Sequence, residues 1–336
     1  MNLTEYGHLI IDEFGVTLRK KRKRILVVSE SCKEEIPLKS VRDVIISGKA
    51  NISSELLKAF AESGVDVLFT TPTGKPIARL VGAKLGGTAL NRIEQYRSLE
   101  DCRGVRAAKT IILGKIRNQM SNVRYYSKSR RMNQALSTKL YELYEKIKEK
   151  FESLQAEDFE NLDEARKRIL AYEGEVANYY WDAIKLSLGN WNFPGRVQKS
   201  DDPVNLSLNI CYNLLSAQLW KHTMKFGLDP FLGYVHVDRP GKLSLVFDLM
   251  EPFRPMVDRF VISFLKKITP AHFSGKTKSN TISTLMKQFF LDFMQSRLEY
   301  RGRKMLMETV MFYYLQDFVS FLKGNKDSFS TPYLPW

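Results

Sequence analysis

Cysteine is scarce in this chain: Cys32, Cys102 and Cys211 are the only three in 336 residues. Their odd number, wide spacing and lack of any C-x-x-C pair argue against a disulfide framework or a zinc knuckle, and fit a reducing, intracellular setting. Histidine is nearly as rare, at four. No apolar run approaches the ~18 residues of a membrane-spanning helix. The first residues carry no basic region ahead of an apolar core, so no signal peptide is expected and the protein is read as cytoplasmic. The sequence also lacks the G-x-x-x-x-G-K-[ST], G-x-S-x-G and H-E-x-x-H patterns, which removes a P-loop, a serine-hydrolase elbow and a zinc-protease helix.

Positive charge is what the chain has in excess. Lys and Arg number 52 against 37 Asp and Glu, a formal net charge of +15. An excess of this size favours a polyanionic partner, nucleic acid before membrane surface. Six consecutive basic residues, Arg19-Lys20-Lys21-Arg22-Lys23-Arg24, separate two β-type segments. They read as a solvated hairpin tip whose mutual repulsion is more easily explained with a phosphate partner.

Two regions differ in hydrophobic period. Short β-type runs occupy 8–11, 16–18, 25–29, 43–46, 65–71 and 76–81. One helix interrupts them, capped by Ser53 or Ser54 and stopped by Gly64. From about residue 90 the period is helical, with apolar or charge-paired stretches at 139–184, 206–220, 256–268 and 286–314. Loops are expected at 82–87, 190–202, 269–280 and 324–336. The expected fold is α+β: a β-sandwich-like domain over 1–85, a linker over 86–95, and a larger all-α domain over 96–336.

Chemistry concentrates in four residues. Glu173 falls on the apolar stripe of Ala165, Ile169, Val176, Tyr180 and Ile184. A carboxylate there must be paired, protonated or metal-bound, and a buried ion pair is slightly favoured. His236 follows Gly227-Leu228-Asp229-Pro230; His8, His222 and His272 have no acidic cluster close by in sequence. Asp248 and Glu251 stand at i, i+3 in Asp248-Leu249-Met250-Glu251-Pro252-Phe253-Arg254-Pro255, which places both on one face of a helical turn. Either a cation sits between them, or Asp248 caps a helix and Arg254 neutralises Glu251. Three oxygen ligands and one nitrogen suit Mg²⁺ or Mn²⁺, and in a basic protein such a set points to phosphodiester chemistry.

The sequence resembles the CRISPR-associated integrase family called Cas one, the DNA endonuclease of spacer acquisition. The resemblance spans essentially the whole chain. It rests on Glu173-Gly174 with Ala177 and Tyr180; Asp202-Pro203-Val204-Asn205 with Leu208 and Tyr212; Gly227-Leu228-Asp229-Pro230 with Gly233 and His236; and the stretch from Asp248 to Pro255. Ile52-Ser53-Ser54 and Gly64-Val65-Asp66-Val67 add N-terminal matches. The resemblance implies an integrase with Mn²⁺ or Mg²⁺ held by Glu173, His236 and Glu251, and with Asp248 as a further catalytic acid. Tyr212 and Arg254 match positions near the site. Arg196, Lys276 and Lys278 are candidate DNA contacts. The implied partners are prespacer and repeat DNA, a second copy joined through the β-rich domain, and the small protein Cas two. Phe193 to Ser200 departs from the basic, Pro-Pro stretch of many relatives, which bears on DNA contacts there rather than on metal ligands. A casposase-type transposon integrase and a non-catalytic DNA-binding scaffold stand as alternatives.

Overall fold

β-branched residues fill the short apolar runs of the N-terminal region, and there they form strands. The computed structural model describes residues 2–4, 7–30, 32–82, 88–130, 132–189, 191–198, 200, 202–237, 239–275 and 277–335. The strands are β1 (Asn2–Leu3), β2 (His8–Ile11), β3 (Val16–Lys21), β4 (Arg24–Val28), β5 (Lys33–Pro37), β6 (Asp43–Ile46) and β7 (Ala50–Ile52), then β8 (Asp66–Thr70) and β9 (Pro76–Leu80) after helix α1 (Ser54–Ser63). One sheet runs β1-β2-β6-β8-β9 and the other β5-β4-β3-β7. Both are mixed, with β2, β6 and β8 parallel neighbours in the first and β3 parallel to β7 in the second. Ser53 caps α1 through the Leu56 amide, and Gly64 ends it in the left-handed region at φ 69°.

β2 and β6 are buried at every position. Alternation explains why. Leu9, Ile11, Val44 and Ile46 face the core between the two sheets, whereas Ile10 and Ile45 point the other way and join the helical core. β5 and β7 were not expected from sequence, because Lys33-Glu34-Glu35-Ile36-Pro37 is mostly polar and Ala50-Asn51-Ile52 is short. Both are outer strands of their sheet, where exposure tolerates such residues.

The remaining elements are α2 (Ala89–Arg97), α3 (Cys102–Ser129), α4 (Gln134–Ala156), α5 (Leu162–Leu188), α6 (Pro203–Lys225), α7 (Ser244–Met250), α8 (Arg254–Leu265), α9 (Thr277–Gln288), β10 (Arg297–Tyr300), β11 (Arg303–Leu306) and α10 (Met307–Leu322). Three helical turns, Glu251–Phe253, Pro270–Phe273 and Phe289–Phe293, join them. α6 is buried on nearly all sides. Its apolar residues accordingly show no one-sided stripe. Among the described residues no helix is long and apolar enough to cross a membrane.

Four expectations need correction. The stretch 286–314 is not one helix: a hairpin of β10 and β11 splits it, turning at Arg301 (φ 52°) and Gly302 (φ 70°). Two consecutive positive φ values make a tight turn whose twist suits paired strands. The C-terminal region is therefore helical with one hairpin, not all-α. The segment 269–280 holds a short helical turn and the start of α9 rather than a loop. Of the expected linker, 86 and 87 lie outside the described residues, and Ala89–Arg97 is helical. α2 docks firmly: Gln95 donates to the Asp229 carbonyl at 2.9 Å and accepts from the Asp229 amide at 2.8 Å.

The basic run forms the β3–β4 hairpin, with Arg22 at φ 56°. Its charges have local partners. Lys21 and Arg24 pair with Glu35, and Lys20 with Glu55 at 3.3 Å. Repulsion within the run is thus partly relieved by the protein itself.

Candidate active site

α3 buries Ile111, Ile112, Ile116 and Val123 on its inner face. Lys115 lies within that face, four residues from Ile111 and next to Ile116. A lysine there must find counter-charges. It finds two: its Nζ is 2.5 Å from Glu173 Oε1 and 2.6 Å from Glu251 Oε2. Glu173 comes from the middle of α5. Glu251 opens the helical turn between α7 and α8, where Pro252 and Pro255 set the chain direction. Arg254 Nε reaches Glu251 Oε1 at 2.9 Å. Burial works to raise the Glu251 pKa, but Arg254, Lys115 and His236 outweigh it and hold the carboxyl at about 2. The Lys115 pKa is raised: burial opposes its charge, and Glu251 and Glu173 more than restore it. Both shifts arise in one ion triad of Lys115, Glu173 and Glu251, with Arg254 paired to Glu251 at its edge.

His236 sits beside this triad and is oriented by Asp248. Asp248 is fully buried and accepts four hydrogen bonds. Its Oδ2 takes the amides of Tyr234 (2.5 Å) and Val235 (2.9 Å), and its Oδ1 takes the His236 amide (3.0 Å) and Nδ1 (2.6 Å). An Nδ1–H donated to a carboxylate leaves Nε2 as the ring's acceptor nitrogen. Gly233 is required here, since a Cβ would lie 2.8 Å from Asp248 Oδ2 and 2.7 Å from the His236 carbonyl oxygen. Arg166 of α5 holds the same loop through the carbonyls of Gly233 (2.8 Å) and Tyr234 (2.9 Å). Asp248 and Glu251 therefore share no cation, although they stand at i, i+3. Asp248 turns to the 234–236 backbone and Glu251 to Lys115 and Arg254. Asp248 is closed off from solvent and holds the His236 ring.

Tyr212 forms the third part. Two guanidiniums lie over its ring, with Arg254 Cζ 4.9 Å and Arg196 Cζ 5.2 Å from the centroid. Its hydroxyl donates to Asp258 Oδ1 at 2.5 Å, and Tyr180 donates to Asp258 Oδ2 at 2.8 Å. Burial pushes the Asp258 carboxyl up to about 6 against these donors and against Arg196 and Arg254. The Asp202-Pro203-Val204-Asn205 motif explains where Arg196 stands. Asp202 caps α6 through the Asn205 amide (3.0 Å), Pro203 occupies its first turn, and Asn205 Oδ1 accepts from Arg196 at 2.9 Å.

Of the residues named from sequence, Glu173, Glu251, Arg254, Tyr212 and Arg196 join in one connected network, and His236 with Asp248 adjoins it. Lys278 stands apart, lining a groove of about 340 Å³ with Asp12, Phe14 and Ser283. Lys276 lies outside the described residues. Sequence reasoning missed Lys115 and Asp258, and placed Tyr180 only on the apolar stripe and in the Glu173 motif. Lys115 had a signal of the same kind as Glu173, a charge on an apolar helical stripe. Asp258 had none, because its link to Tyr180 crosses 78 residues.

Among the described residues no three His, Cys, Asp or Glu side chains stand at metal-holding spacing. The donor chemistry nonetheless fits a divalent cation. Two carboxylates already converge on the Lys115 charge and an imidazole stands beside them; among the described residues its Nε2 has no hydrogen-bond partner and buried Glu251 Oε2 has no aligned donor.

A family model described as "CRISPR associated protein Cas1" matches residues 9–295. The chain belongs to the Cas1 family. It is 58% identical, over the full length of both chains, to a CRISPR-associated endonuclease Cas1 of Korarchaeum cryptofilum. It is 33% identical to one of Archaeoglobus fulgidus, over 95% of this chain and 97% of that one. Solved structures share the fold. A casposase bound to integration product aligns with TM-score 0.78 at 23% identity, over 96% of this chain and 92% of that one. A Cas1 protein from Thermotoga maritima aligns with TM-score 0.71 at 17% identity, over 96% and 99%. A Cas6-RT-Cas1–Cas2 complex aligns with TM-score 0.73 at 16% identity, over 98% of this chain and 36% of that one.

Proposed function

We propose that this Cas1-family protein is a metal-dependent DNA integrase and endonuclease of CRISPR adaptation. In the integration step the 3′-oxygen of a prespacer end attacks a phosphodiester at the repeat boundary. One P–O bond forms, one breaks, and the proton of the attacking hydroxyl passes to the oxygen that leaves. Water in place of the hydroxyl gives hydrolysis. The observation that carries this reading is the pair of carboxylates, Glu173 and Glu251, closing on one cation beside an Asp248-held imidazole in a chain similar over its full length to a named endonuclease.

Glu173, His236 and Glu251 would hold Mg²⁺ or Mn²⁺, which supplies charge stabilisation at the phosphate. The chain's own groups do the rest. Asp248 holds the His236 ring through Nδ1, which leaves Nε2 as the ligand nitrogen. Glu251, at about 2, stays ionised at every working pH. Arg254 and Arg196, stacked on Tyr212, place positive charge for the DNA backbone and read no sequence. The casposase and Cas1–Cas2 structures that share the fold support prespacer and repeat DNA as substrates and the small protein Cas2 as a partner. A homodimer through the β-rich region belongs to the same reading.

The test is strand transfer with labelled prespacer and a repeat-bearing plasmid, in Mn²⁺, Mg²⁺ or EDTA, with and without Cas2. Wild type should transfer only with metal. Glu173→Ala and His236→Ala should each lose at least about 100-fold in rate while binding DNA nearly as well. DNA binding without transfer under any metal would make the protein a scaffold instead.

A further inference from the structure

Lys115 is not one of the motif residues, yet it takes the central place among them. Its ammonium contacts Glu173 Oε1 and Glu251 Oε2 together, and these two carboxylates come from different elements. Without it their charges would face each other with little water between, since Glu251 is almost fully buried and Glu173 only a quarter exposed. Arg254 is a poor substitute. It is committed to the other Glu251 oxygen and to the Tyr212 face. Among the described residues Lys115 is held by its two ion pairs, on a flexible stem, and carries a compact and strongly hydrated charge.

We propose that Lys115 is the built-in counter-cation of the carboxylate pair and competes with the divalent ion for it. This rests on the metal reading above. In the metal-free protein the ammonium keeps the acids together, so the site stays folded and close to assembled. Loading requires Lys115 to give up both carboxylates. Its charge then stays near a doubly charged ion and opposes it. Metal affinity is in consequence set lower than the ligands alone would give, and the acids are never left unpaired. The spacing of the acids reflects the same balance: with an ammonium between them, no three metal-type ligands stand at metal-holding spacing among the described residues.

The experiment is calorimetric titration of Mn²⁺ into the full-length protein, with thermal unfolding in EDTA and in saturating Mn²⁺. Lys115→Gln should unfold at lower temperature in EDTA, bind Mn²⁺ about tenfold or more tighter, and gain more from it in melting temperature. Lys115→Arg keeps the charge and grips both acids through a planar fork. It should stay folded in EDTA and bind Mn²⁺ more weakly than wild type. A Lys115→Gln protein that folds only with Mn²⁺ would also support the proposal, because the ion then replaces the ammonium. Equal Mn²⁺ affinity in wild type and Lys115→Arg would overturn it, and so would equal or weaker binding by folded Lys115→Gln. If no variant and no wild type binds Mn²⁺ at millimolar concentration, the metal reading itself fails. Binding that ignores residue 115 sinks only this inference.

Discussion

Asp258 is buried between two tyrosine hydroxyls and shares the field of two guanidiniums, yet its carboxyl is pushed up to about 6 because burial outweighs them. Its folded pKa stands above the ordinary value of 3.8, so the unfolded chain gives up this proton first as pH rises. Ionisation in the fold is therefore unfavourable. The contribution of Asp258 to stability is complete below about pH 4 and is lost as pH climbs through 6. The rise from 3.8 to about 6 corresponds to about 3 kcal/mol. Asp258→Asn removes the charge but keeps one acceptor. Urea unfolding should show wild type losing about 3 kcal/mol relative to Asp258→Asn between pH 4 and pH 7.5; a pH-independent difference would refute the buried-charge account. The same variant should slow strand transfer at pH 7.5, because the Tyr212 ring under Arg254 and Arg196 loses a firm anchor.

At the scale of elements, α3 is the scaffold of the site. Lys115, Asn118 and Asn122 lie along one side of it, at i, i+3 and i+7, and each grips a different piece of the turn from Glu251 to Pro255. Asn118 donates to the carbonyls of Pro252 (2.8 Å) and Pro332 (2.9 Å) and accepts from the Leu334 amide (2.9 Å). Asn122 donates to the Pro255 carbonyl (2.6 Å) and to the Tyr180 hydroxyl (2.9 Å). The C-terminal tail, expected as a loop, is thus strapped to the face of α3 that carries Lys115. Asn118→Ala would strand two carbonyls and one amide in a buried place. The expected loss is about 3 kcal/mol, read from urea unfolding, with a matching fall in strand transfer as Glu251 loses its support. A loss below about 0.5 kcal/mol would mean that water satisfies these groups and that the strap is dispensable.

At the scale of the whole molecule, the β-rich and helical regions are joined by charge as well as by packing. Asp43 of β6 accepts from His8 Nδ1 at 2.7 Å and pairs with Lys221 of α6 at 3.3 Å, and Lys221 also reaches Glu308 of α10 at 3.5 Å. His8 had no acidic neighbour in sequence; parallel pairing of β2 with β6 places Asp43 directly beside it. Burial works against the Asp43 charge, but Lys221 and His8 hold its pKa at about 2. Because this value is depressed, the stabilisation is present above the ordinary pKa of 3.8 and is lost as pH falls through about 2. Lys221→Met should destabilise the protein by about 3–5 kcal/mol at neutral pH, and its acid unfolding should begin at higher pH than that of wild type. Adding Asp43→Asn should recover part of the loss. No recovery would show that Lys221 acts through packing rather than charge.

Much of this protein follows from its sequence alone. The change of period near residue 90, the capped helix from Ser53 to Gly64 and the main strands are local: each depends on residues within a few positions. So does the amphipathic conflict that singled out Glu173. The family motifs supplied His236, Asp248 and Glu251, which stand within 16 positions of one another. Only the tertiary structure decided how these groups divide the work. Spacing put Asp248 and Glu251 on one face, but the loop at 234–236 offers three amides to Asp248, and α3 offers an ammonium to Glu251. Lys115, Tyr180 and Asp258 belong to the site because helices far apart in the chain pack together, and a hydrogen bond across 78 residues leaves no local trace. The β10–β11 hairpin was hidden for a related reason: its outcome depends on two positive φ values at Arg301 and Gly302, which an apolar stripe continuing on both sides obscures.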